Sequence, residues 1–409
     1  MTVELGSPGV SAGPEWPGTL DLSALHASGW RPAPFREFIL KVHSRCDLAC
    51  DYCYMYEMAD QSWRHRPPAM PSTVLESAAA RIGEHAITHG LGAIELILHG
   101  GEPLLAGSEV LENAVTAVRK AAPGVRIRAC VQTNATRLDI RFLDLFDRLD
   151  VHIGVSLDGG TSAHNRHRRR ANGTGSHAAV ETALKLLTSD RYRHLFDGLL
   201  CTIDLRNDPQ DTYEALMTWS PPVIDFLLPH GTWAAPPPGR NADDPATPYA
   251  DWLIPLFDRW YRSSPGTEVR LFGELVRLQL GGASTCEAFG LSPVGMVVIE
   301  TDGSVEQADA LKSVHEGAAA TGLHVERDPL DAALWTPGVV ARQIGAAALS
   351  PECLGCRVHT VCGGGMYPHR YRPGRGFANP SVYCPDLFRL ITHVRGVVFS
   401  DLSDLRRKR

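Results

Sequence analysis

Between residues 35 and 228, short β-type runs alternate with helical runs, and no other feature limits the fold of this chain so strongly. Strands are expected at 35–42, 94–98, 125–132, 151–157, 198–205 and 223–228. Helices are expected at 71–90, 108–121, about 138–149, 176–187 and 211–219, the first with Ser72 as N-cap and Gly90 as its stop. Strands joined by helical crossovers run parallel, because the crossover returns the chain to the starting end of the sheet. Six such units fall short of the eight that close a barrel, so the expected fold is α/β, an open, partial (β/α)6 barrel over residues 35–240. A Gly-, Pro- and Ser-rich lead-in covers 1–34, and a helical bridge covers 241–285. A smaller cysteine-rich domain with a C-terminal helix is expected over 286–409.

Barrel-type sheets carry their active sites at the C-terminal ends of the strands. The unusual residues of this chain collect there. Cys46, Cys50 and Cys53 follow the first strand, and His99-Gly100-Gly101-Glu102-Pro103 closes the second. Thr133 and Asn134 end the third, Ser156 and Asp158 end the fourth, and an Arg-rich loop follows at 166–170. Three thiolates hold three corners of a [4Fe–4S] cluster and leave one iron open for a ligand that is not protein. A second set, Cys353, Cys356, Cys362 and Cys384, supplies four thiolates, which suits either a closed cluster or a zinc ion. Cys130 and Cys201 sit inside apolar strands and read as core residues. Tyr54, Tyr56 and Trp63 are candidates for stacking on a cofactor or a peptide, with plain packing as the alternative.

Composition narrows the partners. A formal net charge of -6 argues against nucleic acid, which needs a positive field. Ten cysteines clustered at metal-ligand spacing argue for metal rather than disulfides. The start carries no signal-peptide pattern and no apolar run is long enough for a bilayer, so the expected setting is reducing and cytoplasmic, with no membrane partner.

Cys46-x3-Cys50-x2-Cys53, with Tyr52 before the last cysteine, resembles the signature of the radical S-adenosylmethionine (SAM) superfamily. Gly100-Gly101-Glu102-Pro103 resembles that superfamily's GGEP motif. The resemblance implies that the open iron takes the amino and carboxylate groups of SAM, with Tyr52 among the cofactor-binding residues. It implies that Glu102 and the backbone of Gly100 and Gly101 meet the SAM amino group, glycine permitting the close approach. Asn134, Ser156 and Asp158 match positions that contact the SAM ribose or carboxylate. His164-Asn165-Arg166-His167-Arg168 is similar to an HDxxR element, with Asn165 in place of its Asp, which makes Arg168 the SAM-facing arginine.

The C-terminal cysteines resemble part of the SPASM auxiliary-cluster domain, whose full pattern has seven cysteines and two extra clusters. Cys286 matches the first inner ligand, but Ala308 and Met366 stand where others of the inner set belong. The resemblance therefore implies one auxiliary [4Fe–4S] cluster, on Cys353, Cys356, Cys362 and Cys384, and leaves Cys286 without cluster partners.

Over about residues 34–395 the chain resembles the Fxs-type cyclophane-forming radical SAM/SPASM peptide maturases, through FREFILKVHSRCDLACDYCYMYEMADQSWRHRP, ETDGSVEQADALKS and VCGGGMYPHRY with NPSVYCPDL. That resemblance implies a ribosomally made precursor peptide with a leader as substrate, and a low-potential electron donor such as flavodoxin or ferredoxin. A 5′-deoxyadenosyl radical takes a hydrogen from a side-chain Cβ. The carbon radical joins an aromatic ring two residues earlier, closing a three-residue cyclophane. Asp309, placed where related enzymes carry an acidic base, is the expected proton acceptor, ahead of Asp204, Glu300 and His230. Strand addition at a sheet edge, in the N-terminal segment or the second domain, is the expected mode of leader capture. Two other readings stand beside this one: thioether formation or formylglycine-type oxidation, and a non-catalytic zinc- or cluster-stabilised peptide-binding protein.

Overall fold

In chain order the barrel region holds α1 (Leu22–Ala27), β1 (Glu37–His43), α2 (Ser72–Thr88), β2 (Ala93–Gly100), α3 (Ser108–Ala121) and β3 (Arg126–Thr133). It continues with α4 (Ile140–Leu149), β4 (Val151–Ser156), α5 (His177–Leu187), β5 (Phe196–Thr202), α6 (Pro209–Met217) and β6 (Val223–Leu227). The structure is a computed structural model and describes residues 15–241, 244–263 and 266–407; the first part of the lead-in, residues 1–14, lies outside the described residues. The six strands and their crossover helices lie within three residues of the expected positions. Local chemistry sets several ends. Asp139 accepts from the Arg141 and Phe142 amides at the start of α4, and Asp208 accepts from Asp211 N at the start of α6. Ser72 is the first helical residue of α2 rather than its cap. Pro71 takes the cap position with extended backbone, and no side chain caps that end.

Neighbouring strands β1 to β6 pair in parallel, each with the next. The two faces of the sheet differ. On β2, Ile94, Leu96 and Leu98 are buried under the helices, while Glu95, Ile97 and His99 alternate onto the other face and keep some exposure. The inner face is polar, and Cys130 belongs to it. Its thiol lies 3.3 Å from Glu95 Oε1 and accepts from Arg128 Nη1 at 2.7 Å, so it is no plain core residue. Cys201 is, at 1% exposure within the apolar core.

The remaining elements are α7 (Pro248–Ser263), β7 (Glu268–Val269), α8 (Arg270–Gln279), β8 (Met296–Ile299), β9 (Ser304–Glu306), β10 (Ala320–His324), α9 (Pro337–Ala341), α10 (Pro351–Leu354), α11 (His359–Cys362) and α12 (Cys384–Arg407). The sheet does not stop at the barrel. Among the described residues, ten strands form one open sheet in the order β10-β9-β8-β1-β2-β3-β4-β5-β6-β7. β8 pairs in parallel beside β1, from Glu37↔Met296 to Leu40↔Ile299, and β9 and β10 follow antiparallel. Without β8, β1 would be an edge with unpaired N–H and C=O groups. The cysteine-rich region thus begins as an extension of the barrel sheet, and this carries the Asp309 turn up to the barrel mouth. Among the described residues, no helix is long and apolar enough to cross a membrane.

Candidate active site

The loop after β1 carries Cys46, Cys50 and Cys53, all half-buried and none in a disulfide. Cys53 N donates to Cys50 O, which curls the loop, and Ala49 N donates to Arg169 O, which ties it to the Arg-rich loop. Asn134 Nδ2 reaches Asp47 Oδ1 at 2.9 Å and the Cys46 sulfur at 3.6 Å, and Leu48 N donates to the same sulfur at 3.4 Å. Burial pushes the Cys46 thiol up to about 12 and the Cys53 thiol to about 11. Thiols this basic stay protonated at neutral pH unless a cation takes the proton's place, as iron does in a cluster.

Across the loop, Tyr52, Asp158 and Arg168 form one buried network. Tyr52 Oη donates to Asp158 Oδ2 at 2.6 Å and accepts from Arg168 Nη1 at 2.8 Å. Asp158 Oδ1 accepts from Thr202 N at 3.0 Å. Arg168 Nε is buried without a partner. Burial opposes the guanidinium charge, but Tyr52, Asp158 and Cys50 together hold it protonated. A buried cation beside Cys50 with an unpaired donor fits an anionic occupant of the mouth. Asn165, where the resembled element has Asp, caps this corner: its Oδ1 accepts from Asp158 N at 2.9 Å.

The glycine pair seats the cysteine loop. A Cβ on Gly100 would stand 2.1 Å from His43 O, and one on Gly101 would stand 1.8 Å from Tyr56 Oη. Here the close approach is to the cysteine loop itself. Gly101 N donates to His43 O and Glu102 N to Arg45 O, which fixes that loop on the end of β2. Glu102 is fully buried, and its carboxylate accepts from Thr133 Oγ1 at 2.7 Å, Asn134 N at 2.8 Å and Leu104 N at 3.0 Å. With three protein donors and no exposed surface, it clasps β2 to β3 and places Asn134. Burial raises this carboxyl to about 7 despite those donors. Ser156 Oγ accepts from Gln132 Nε2 at 3.0 Å, at the end of β4. Replacing Gly101 with Ala is expected to cost at least about 1–3 kcal/mol and to lower iron retention together. Denaturant midpoints and iron content would check it; neither would change if the loop can simply move aside.

Asp309 lies in a buried ionic cluster that the sequence reading did not foresee. Lys41, on the inner face of β1 and 1% exposed, places Nζ 2.5 Å from Asp309 Oδ2 and 2.9 Å from His99 Nδ1. Burial alone would raise the Asp309 carboxyl, but Lys41, His99 and Lys312 outweigh it and hold it below its ordinary value. Burial, and then Lys41, push His99 down to about 4, so its imidazole is neutral. It remains 21% exposed, as expected of a group lining an enclosed space. The other acceptor candidates have partners of their own, Glu300 in the same cluster as Asp309. Glu300 pairs with Arg66 at 2.6 Å and Lys312 at 3.1 Å. Asp204 pairs with Arg166 and with His167 at 3.2 Å in the outer loops. His230 Nδ1 faces His369 Nε2 at 3.3 Å, beside Tyr54. Tyr56 and Trp63 pack edge to face, 4.9 Å apart.

The second cysteine set gathers at the C-terminal region. Cys353 lies on α10, Cys356 just beyond it, Cys362 ends α11 and Cys384 opens α12. Burial raises the Cys362 and Cys384 thiols, and proximity adds to it: Cys384 and Cys353 act on the first, Cys353 and Cys356 on the second. A tetrahedral zinc site would hold its sulfurs about 3.8 Å apart, given Zn–S near 2.3 Å. Among the described residues, neither cysteine set has three sulfurs within 4.8 Å of one another. Cys286 packs against the apolar core at the edge of a space of about 40 Å³ that Glu287, Arg342 and Arg370 also line. The Arg342–Glu287 pair, at 2.7 Å, and the Arg370 guanidinium, on the Gly363 and Gly365 carbonyls, occupy this region. Ala308 lies in a separate apolar cluster with Leu311, Tyr367 and Phe377.

Residues 40–215 match the family model described as the radical SAM superfamily. The chain is 28% identical over 283 residues to the cysteine-type anaerobic sulfatase-maturating enzyme of Clostridium perfringens (strain 13 / Type A), covering 68% of this chain and 74% of that one. It is 22% identical over 385 residues to the serine-type anaerobic sulfatase-maturating enzyme of Bacteroides thetaiotaomicron, covering 88% and 89%. In fold it is similar to anSMEcpe with bound AdoMet and the Cp18Cys peptide, at TM-score 0.74 and 22% identity, covering 90% of this chain and 99% of that one. It is also similar to Streptococcus suis SuiB bound to precursor peptide SuiA, at TM-score 0.58 and 14% identity, covering 88% and 78%. The family match spans the cysteine loop, the glycine pair and the Tyr52–Asp158–Arg168 network; the chain is an enzyme with a radical SAM region over residues 40–215.

Proposed function

We propose that this enzyme modifies a ribosomally made precursor peptide by joining an aromatic ring to a side-chain Cβ, closing a three-residue cyclophane. The observation that carries the reading is Asp309, brought to the barrel mouth by the β8–β9 extension and held ionised by Lys41. When bound, SAM and the clusters supply a 5′-deoxyadenosyl radical and take up the one electron left after ring closure. The chain's residues do the rest. Cys46, Cys50 and Cys53 would hold the radical-generating cluster. Arg168, with its unpaired Nε, would face the SAM carboxylate, and Asn134 and Ser156 would meet its polar groups. Cys353, Cys356, Cys362 and Cys384 would hold one auxiliary [4Fe–4S] cluster; sulfurs set wider than a zinc ion needs favour a cluster there. Ala308 and Met366 stand where two other inner ligands belong, so no further cluster is proposed at Cys286.

Rearomatisation of the ring releases one proton. Asp309 is the carboxylate we assign to take it, being ionised at neutral pH and beside His99. The substrate approaches as a peptide with a leader, and β10, which ends the sheet, offers an edge for strand addition. A donor such as flavodoxin or ferredoxin would supply the reducing electron.

Similarity to the sulfatase-maturating enzymes favours a second reading, oxidation of a Cys or Ser side chain to formylglycine. Co-expression with a short neighbouring reading frame that encodes an aromatic residue separates the two. The cyclophane reading expects a loss of two hydrogens, a three-residue stretch that resists fragmentation, and about eight irons per reconstituted chain. A product that reacts with a hydrazide probe would instead mark an aldehyde and overturn the ring assignment.

A further inference from the structure

At the opposite end of the barrel from the cysteine loop, two histidines and a carboxylate meet. His85 and His89 stand one turn apart, at the end of α2, and Asp331 reaches them from the turn Leu330–Trp335 in the C-terminal region. One ligand atom from each of the three lies within 4.8 Å of the other two. His89 Nε2 is 3.2 Å from both Asp331 oxygens, and the His85 Nδ1 atom contacts Asp331 Oδ1 directly. Two histidines at i and i+4 on a helix present their rings on one face, which is a zinc-binding spacing.

His85 shows why the arrangement asks for a cation. It is 2% exposed, with Phe35 and Phe38 against its ring. An acceptor faces each of its nitrogens: Phe35 O lies 3.2 Å from Nε2, and the Asp331 carboxylate lies at Nδ1. A neutral imidazole has a single N–H and can donate to only one of the two. If that proton goes to Phe35 O, two lone pairs oppose each other at Nδ1 and Asp331. A cation between them turns that opposition into two coordinate bonds. The Nε2–H···O=C bond to Phe35 is then the outer contact that orients a metal-bound histidine.

We propose that His85 Nδ1, His89 Nε2 and Asp331 form a three-ligand zinc site that staples the C-terminal region to helix α2, with water in the fourth position. Two imidazoles select zinc over magnesium or calcium, which take oxygen ligands. Trp335, four residues past Asp331, packs against His26 and Trp30, so the staple would also steady the start of the chain on the barrel. The site lies outside the radical chemistry and is independent of which peptide is modified.

The test uses the reconstituted holoenzyme, its iron content measured, and zinc alone as the probe. One zinc per chain is expected after dialysis against micromolar zinc, with an X-ray absorption shell of nitrogen and oxygen at about 2.0–2.1 Å and no sulfur. His89→Asn and Asp331→Asn alter half-exposed side chains and leave the core intact; each should weaken zinc binding at least about tenfold, with iron unchanged. Zinc should raise the melting temperature of the unaltered protein and not of His89→Asn. A sulfur shell near 2.3 Å would place the ion on cysteines and overturn the site. Equal zinc affinity in His89→Asn, or no zinc retained by the unaltered enzyme, would overturn it as well.

Discussion

Cys46→Ala should fold normally, lose about four irons per chain and release no 5′-deoxyadenosine. Removing one thiolate leaves Cys50 and Cys53, too few for a three-cornered cluster. The replaced side chain is half-buried on a loop, and its sulfur only accepts contacts from Leu48 N and Asn134 Nδ2. Neither is a core contact, so the melting temperature should move by a few degrees at most in a chain of this size. The four C-terminal cysteines are untouched, so the remaining iron, about four per chain, should persist. Peptide co-expressed with this variant should keep its full mass. A two-hydrogen loss in the Cys46→Ala product would defeat the assignment of the triplet to radical generation. Loss of all eight irons would show instead that the two cysteine sets fold together.

Lys41→Met should be the most destabilising single change near the site, by about 3–5 kcal/mol. Lys41 is 1% exposed and Asp309 8%, so removing the ammonium leaves a carboxylate deep in the protein with its main partner gone. The cost comes from that stranded charge more than from the lost attraction. A second replacement, Asp309→Leu in the same chain, should therefore restore most of the stability. Denaturation midpoints of the single and double variants decide this. If Lys41→Met alone unfolds where the unaltered protein does, the buried pair carries no such weight.

The same pair makes a pH prediction. The Asp309 carboxyl is held below its ordinary value, so its contribution is fully present above the unfolded carboxyl value of about 3.9 and is lost as pH falls through the folded value. In Lys41→Met burial loses its main opponent and the carboxyl rises. Any chemistry that needs Asp309 ionised should then move to higher pH, while SAM cleavage stays where it was. Asp309→Asn should cleave SAM and still fail to complete the ring at any pH.

The legible and the illegible divide by distance along the chain. The cysteine triplet could be read because three ligands fall within eight residues. Arg168 stands in the local pattern His164-Asn165-Arg166-His167-Arg168, and its side chain donates to Tyr52. The clasp that Glu102 makes is not legible, for the converse reason. Its partners Thr133 and Asn134 lie some thirty residues downstream, and nothing in Gly-Gly-Glu-Pro announces them. Lys41 was invisible inside an apolar strand run; only the turn that brings Asp309 beside it, 268 residues later, shows why a lysine is buried there.

By itself, the amino-acid order determined the strand–helix rhythm, the parallel sheet and the two groups of thiolates, because periodicity and ligand spacing are short-range properties of the chain. Tertiary structure alone decided the rest. The pairing of β8 with β1 carried the cysteine-rich region onto the barrel, and Lys41 met Asp309 there. Asp331 closed on His85 and His89 across 246 residues. Such contacts join segments that share no local signal, since burying a charge or pairing a sheet edge depends on what the folded chain brings beside it.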